Sequence, residues 1–257
     1  MRVVLVIAAI TVTSPTLADT ATGGEASVTL GGKPEFYTKD DEGKYALVTM
    51  KAKAVVDKTW VVVLTESIIA TEWPQKKTAL TDPILSLAYG ANPLADYGLV
   101  LETGLSTSAG VSLASRDSDH LGNVKGRFAI SVRPGSFTVG VGAAYTRMFD
   151  RYTFTETGAA VPESIAAGFG FVAVQMHEKL SLSTNLAFLK TALYAGAPVF
   201  SYSNSLSLSW EMSEHVGLDL GVTTSDSQLS PNGTDNNDYT LYKVNKTEMY
   251  VSAAYSL

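Results

Sequence analysis

The chain has 257 residues, enough for one large β domain or two small ones, and 46% of them are hydrophobic. Its 19 Lys+Arg against 25 Asp+Glu leave a formal charge of -6, and with no basic run this excludes a nucleic-acid binder. The absence of cysteine (Cys 0) excludes a disulfide framework, a thiolate nucleophile and a thiolate metal site.

Arg2, the mostly apolar run Val3 to Val12 and the small residues Thr16 and Ala18 have the order of a secretory signal peptide. They predict a leader over residues 1–18, cut after Ala18, and a single domain over 19–257. The apolar run falls short of the roughly 20 residues a spanning helix needs, and no later stretch is long and apolar enough. A membrane location would therefore require a barrel.

From Glu25 onward the chain reads as strands, because apolar and polar residues alternate with period two. Glu25 to Gly32 is the first and Tyr45 to Val56 the second, with Ala46, Val48, Met50, Ala52 and Ala54 facing away from Lys51 and Lys53. Asp57-Lys58-Thr59 is a turn. Trp60 to Ala70 is apolar on both faces. The cost of a carboxylate against lipid places Glu66 inward there, and the same parity turns Trp60 inward unless a bulge intervenes.

A loop over Thr71 to Leu80 precedes a strand at Asp82 to Gly90, and Asn92-Pro93 marks a turn over Ala91 to Asp96. Tyr97 to Leu113 returns, with Glu102 on its polar face, and Ala114 to Asn123 is a loop. Val124 to Arg133 and Phe137 to Tyr145 form the clearest hairpin, joined at Pro134-Gly135. Phe128, Ile130 and Val132 face opposite to Lys125, Arg127 and Arg133. After the loop Arg147 to Ser164, Ile165 to Met176 sets Phe169 and Phe171 against Gly168 and Gly170. Leu180 to Lys190 goes back.

In the next strand Phe200, Tyr202, Leu206, Leu208, Trp210 and Met212 interleave with serines and Glu211, and only Asn204 breaks the apolar row. Val216 to Thr223 carries Asp219 on its polar face, and a polar loop over Thr224 to Tyr239 leads past Lys246 to the last strand. That strand, Glu248 to Leu257, places Met249, Val251, Ala253, Tyr255 and Leu257 on one face. A strand ending on an apolar face suits a closed barrel, where the last strand pairs with the first and no edge is left over.

The reading is an all-β antiparallel transmembrane barrel of about twelve strands, with short turns on one side and longer loops on the other. Its polar face is mostly Ser, Gly, Thr and Ala, whereas a soluble sandwich would carry Lys and Glu decoration on an outer polar face. Leader, strand pattern and the ending Tyr255-Ser256-Leu257 resemble a Gram-negative outer-membrane β-barrel protein of the porin-like class. The resemblance implies periplasmic turns and extracellular loops, contact with outer-membrane lipid and lipopolysaccharide, and insertion by the barrel-assembly machinery. In that class the final strand typically ends in Phe or Trp. Tyr255 and Leu257 hold the place of this assembly signal.

Aromatic residues fall into two expected girdles. Trp60, Tyr89, Tyr97, Phe137, Trp210 and Tyr255 lie toward the turns, and Tyr45, Trp73, Tyr145, Phe149 and Tyr202 toward the loops. Inward acids are Glu25, Glu66, Glu102, Glu211, Asp219 and Glu248, and inward bases Lys51, Lys53, Lys125, Arg127, Arg133 and Lys246. These either brace the wall as ion pairs, for instance Glu102 with Arg127, or form a constriction that selects solutes by sign and size. Ser201 to Ser209 with Gly140, Gly142, Gly217 and Gly221 line one side with small groups.

Asp117, Asp119 and His120 share an outward loop, but His177 and His215 fall in turns on the opposite side, so an acid-base site is not assembled. The loop acids Asp117, Asp119, Asp226, Asp235 and Asp238 match no calcium-loop spacing. No cofactor is implied. The function expected is passive diffusion of small hydrophilic solutes or ions. A closed structural or adhesion barrel acting through its loops is the alternative, and a rim hydrolase the third.

Overall fold

The computed structural model describes residues 23–32, 45–55, 59–71, 77–94, 97–112, 115, 119–154, 160–227 and 247–256. The expected leader, Trp73, Asp117, Asp235, Asp238, Lys246 and Leu257 lie outside them. The first strands are β1 (Gly23–Gly32), β2 (Tyr45–Val55), β3 (Trp60–Thr71), β4 (Lys77–Leu80) and β5 (Ile84–Leu94). Next come β6 (Leu99–Ala109), β7 (His120–Val132), β8 (Phe137–Asp150) and β9 (Pro162–His177). The last are β10 (Leu180–Leu193), β11 (Val199–Glu211), β12 (Val216–Ser227) and β13 (Thr247–Ser256).

All pairings are antiparallel and the sheet closes on itself. Each strand pairs with its neighbours in sequence, and β1 meets β13 from Glu25↔Ser256 to Gly32↔Met249. β4 and β5 are two halves of one wall strand, because both pair with β3: β4 along Ile68 to Thr71, β5 along Trp60 to Thr65. Counted so, the wall has twelve strands. The break falls at Thr81-Asp82-Pro83, where proline has no N–H to give the ladder. Thr81 bridges it, its N–H and hydroxyl both donating to the Ser67 carbonyl at 2.8 and 3.1 Å.

The loop expected up to Leu80 is therefore corrected, since Lys77 to Leu80 already belong to the wall. Asn92-Pro93, expected as a turn, instead lies within the end of β5, where the register shifts between Ala91 and Leu94. A bulge at a strand end accommodates proline as readily as a turn does. The β7–β8 connection is tight. Gly135 takes φ 64° and the Phe137 N–H donates to the Pro134 carbonyl at 3.2 Å, which is the handedness a short hairpin prefers.

Alternation sorts the two faces. The outer face carries large exposed apolar residues, among them Met50, Leu64, Leu85, Leu105, Phe128 and Val141. Trp60 is on that face too, its ring 4.8 Å from Tyr89, and so is Glu66, which stands opposite Met50 in register. The inward placement of Trp60 and Glu66 is thereby overturned. Thr49 and Ser67 share an inward hydrogen bond at 3.0 Å, which fixes the parity of β3 with Glu66 on the opposite face. Backbone register, once set by the neighbouring strands, overrides the preference of a single side chain.

Among the turn-side aromatics Tyr97, Phe137, Trp210 and Tyr255 are exposed, as are Tyr145 and Phe149 toward the loops. Tyr202 differs, being buried at 4% exposure. It lies where the outer row of β11 to β13 turns polar at Asn204, Thr224 and Thr247, all buried, with the two threonine hydroxyls 2.8 Å apart.

Candidate functional site in the lumen

The inner face is built from small hydroxyl residues that bond to one another across neighbouring strands. Thr29 donates to Ser252 at 2.8 Å, and the Ser183 and Ser207 hydroxyls meet at 2.7 Å. Such pairs satisfy the wall's own polar groups while leaving its surface hydrophilic.

Onto this face register places most of the charged residues expected inward. Lys51 and Lys53 lie opposite to Met50 and Ala52 on β2, and Glu102 alternates with the exposed Leu105 row on β6. Lys125 and Arg127 lie on β7 facing away from Phe128, and Arg133 follows just beyond its end. Asp219 stands between Ser209 and Ser252, Glu248 beside Thr223, and Glu211 at the turn-side end of β11. Tyr255 faces outward, and its ring lies 6.0 Å from His215. The Ser256 N–H donates to the His215 carbonyl at 2.8 Å, tying the closing strand to the β11–β12 turn.

The expected bracing pair does not form. Glu102 is close enough to act on Arg127 electrostatically, but the guanidinium instead lies over the Phe169 ring, 5.0 Å from its centroid. Its Nε and Nη2 are buried without a hydrogen-bond partner, as is Nε of Arg133. A guanidinium stacked on an aromatic face keeps its charge while its orientation is held.

Large aromatic side chains also point inward. Phe169 and Phe171 are buried against Ala129 and Ala187, and their rings cover Gly142 and Gly140 of β8. Tyr250 covers Gly221 in the same way. Three of the four glycines expected to line that side with small groups are thus covered by a ring from the next strand, and only Gly217 among them has free space at that position. The alternation Gly140-x-Gly142 beside Phe169-x-Phe171 was the available signal. Each ring needs a missing Cβ across the ladder, and the register supplies it with Gly142↔Phe169 and Gly140↔Phe171.

At the loop-side rim, His120 Nδ1 and Asp150 Oδ1 are 2.7 Å apart, and Arg151 approaches Asp119 at 3.8 Å. Asp82, in the β4–β5 break, accepts from the Ser112 N–H at 2.9 Å and from the Ser115 hydroxyl, which pins the β6–β7 connection to the wall. Neither Asp82 nor Asp150 was singled out by sequence. Among the described residues no group of three or more His, Asp or Glu side chains could hold a metal ion.

No protein-family model and no curated protein matches the chain. Solved structures do. An outer membrane channel from Pseudomonas putida F1 superposes with a TM-score of 0.64 at 10% identity, covering 93% of this chain and 97% of that one. The NanC porin gives 0.60 at 11% identity, covering 90% and 100%. The KdgM porin, also solved in complex with disordered oligogalacturonate, gives 0.55 at 8% identity, covering 91% and 99%. The chain thus has the closed, all-antiparallel twelve-stranded fold of outer-membrane channel barrels.

Proposed function

We propose that the protein is an outer-membrane channel of a Gram-negative bacterium through which small hydrophilic solutes or ions diffuse passively. The observation that carries this reading is the division of the wall. Large apolar residues are exposed on the outside, while hydroxyls and charged side chains such as Lys125, Arg127 and Asp219 belong to the inner face. An apolar band facing out and a polar interior suit a wall set in lipid around water. The channel folds that superpose on the chain support it. In this reading a leader over residues 1–18 directs export, the assembly machinery reads the last strand at Tyr255 and Leu257, and lipid and lipopolysaccharide surround the wall.

Twelve strands fall between the roughly 8 whose interior side chains fill and the roughly 16 that leave an aqueous channel. Because Phe169, Phe171 and Tyr250 lie against the wall over glycines, they take little of that width.

Purified protein in a planar bilayer is expected to give discrete conductance steps of reproducible size. A sealed bilayer from protein whose heat-modifiable gel migration shows a folded barrel would overturn the channel and favour a barrel acting through its loops. Gly221→Ala offers a second check. The atoms nearest its Cβ belong to the ring and hydroxyl of Tyr250, the far end of a movable side chain, so the ring swings into the lumen and conductance falls. Adding Tyr250→Ala to that variant is expected to raise conductance again, and a single variant that conducts normally would contradict the packing.

A further inference from the structure

The inward charges are unevenly divided by sign across the barrel, although Glu102 of β6 lies beside the basic side and Lys51 and Lys53 of β2 lie toward the acidic one. Lys125, Arg127 and Arg133 belong to β7 and the residue following it, whereas Glu211, Asp219 and Glu248 belong to β11, β12 and β13. In the closed ring β7 lies diametrically opposite β13, with β8 to β12 along one arc and β1, β2, β3, β4–β5 and β6 along the other. Among the described residues none of these six is closed into an ion pair. Arg127 is spent on an aromatic face, and Asp219 has serines as its register neighbours. Lys51 and Lys53, both on β2, are the bases nearest the acidic side; Lys51 stands opposite Glu25 in register and is already engaged, and the three acids of β11 to β13 outnumber the two lysines.

Opposed walls of opposite sign set up a field across the axis, which low-dielectric walls concentrate. A solute of one net charge is attracted by one wall and repelled by the other, so its gain largely cancels. A dipolar ion turns across the axis and gains at both ends, and the gain rises with the separation of its charges. Resting on the channel reading, we propose that the lumen favours small zwitterions, amino acids and short peptides, with the carboxylate toward β7 and the ammonium toward β12 and β13.

The test is swelling of proteoliposomes in glycine, β-alanine, γ-aminobutyrate and ε-aminocaproate, against neutral polyols and sugars of matching size. Zwitterion rates are expected to rise above the neutral size curve as the charges separate, reaching an excess of about tenfold. The double variants Lys125→Gln/Arg127→Gln and Asp219→Asn/Glu248→Gln should each bring the series back to the neutral curve. Lys190→Gln, on the outer face over Phe200, should leave the excess in place. Zwitterions that follow the neutral curve while neutral solutes pass would overturn this inference and leave the channel standing. Glutamate or arginine outpacing the zwitterions would also overturn it. Liposomes that swell in no solute would overturn both.

Discussion

Gly142→Ala is expected to destabilise the folded barrel by about 1–3 kcal/mol, the cost of forcing a methyl group into a filled site. The new Cβ would stand inside contact distance of the Phe169 ring and 2.5 Å from the Phe128 carbonyl oxygen. The ring can move, but the carbonyl is part of the β7 ladder. Adding Phe169→Leu should therefore recover only part of the loss. The measurement is the urea midpoint of the refolded protein in lipid vesicles, followed by tryptophan fluorescence and heat-modifiable migration. A Gly142→Ala midpoint equal to that of the parent would mean that the rings do not rest on the β8 glycines.

Glu66→Leu is expected to act in the opposite direction. Glu66 lies midway along β3 on the outer face, between the exposed Leu64 and the row leading to Leu80. A carboxylate facing hydrocarbon there costs less than an Arg or Lys would, on the order of 1–2 kcal/mol, and leucine removes that cost. The midpoint in vesicles should rise by the corresponding amount. A lower midpoint would mean that the carboxylate has a partner on the outside of the wall. An unchanged one would place it in water.

Alternation was legible wherever the two faces differ in chemistry. Along β7, β8 and β11 it located both the strands and their facing, because Phe128, Val141 or Leu206 alternates with a charge, a glycine or a serine. It failed along β3, where Val61 to Leu64 are apolar on both faces. The facing then rested on the single residue Glu66, which the register placed on the other side. Local signals also misled at proline. Asn92-Pro93 read as a turn yet lies at a bulge in the end of β5, and the expected strand from Asp82 ran through Pro83, where the wall strand is in fact interrupted, since an antiparallel wall tolerates a lost donor where a break or bulge takes it up.

The site was legible as an arrangement of charges and not as a set of contacts. Lys125, Arg127 and Asp219 could be placed inward from period two alone. That Arg127 would leave Glu102 for Phe169 could not, because it depends on which residues face each other across two ladders. The same holds for Asp82. It lies far in sequence from Ser112 and Ser115, and only the closed wall brings them together.

The pairing of β1 with β13 joins positions such as Thr29 and Ser252 that are 223 residues apart, while every other seam is a local hairpin or its equivalent. Tying so long a loop adds little entropy beyond that of a medium one, but finding the partner takes time. A growing chain can stack hairpin on hairpin and still present two raw edges until its last strand arrives, and raw edges recruit other chains. Closure is therefore all or none: without β13 the molecule is not a narrower barrel but an open sheet, exposed to aggregation for as long as it waits.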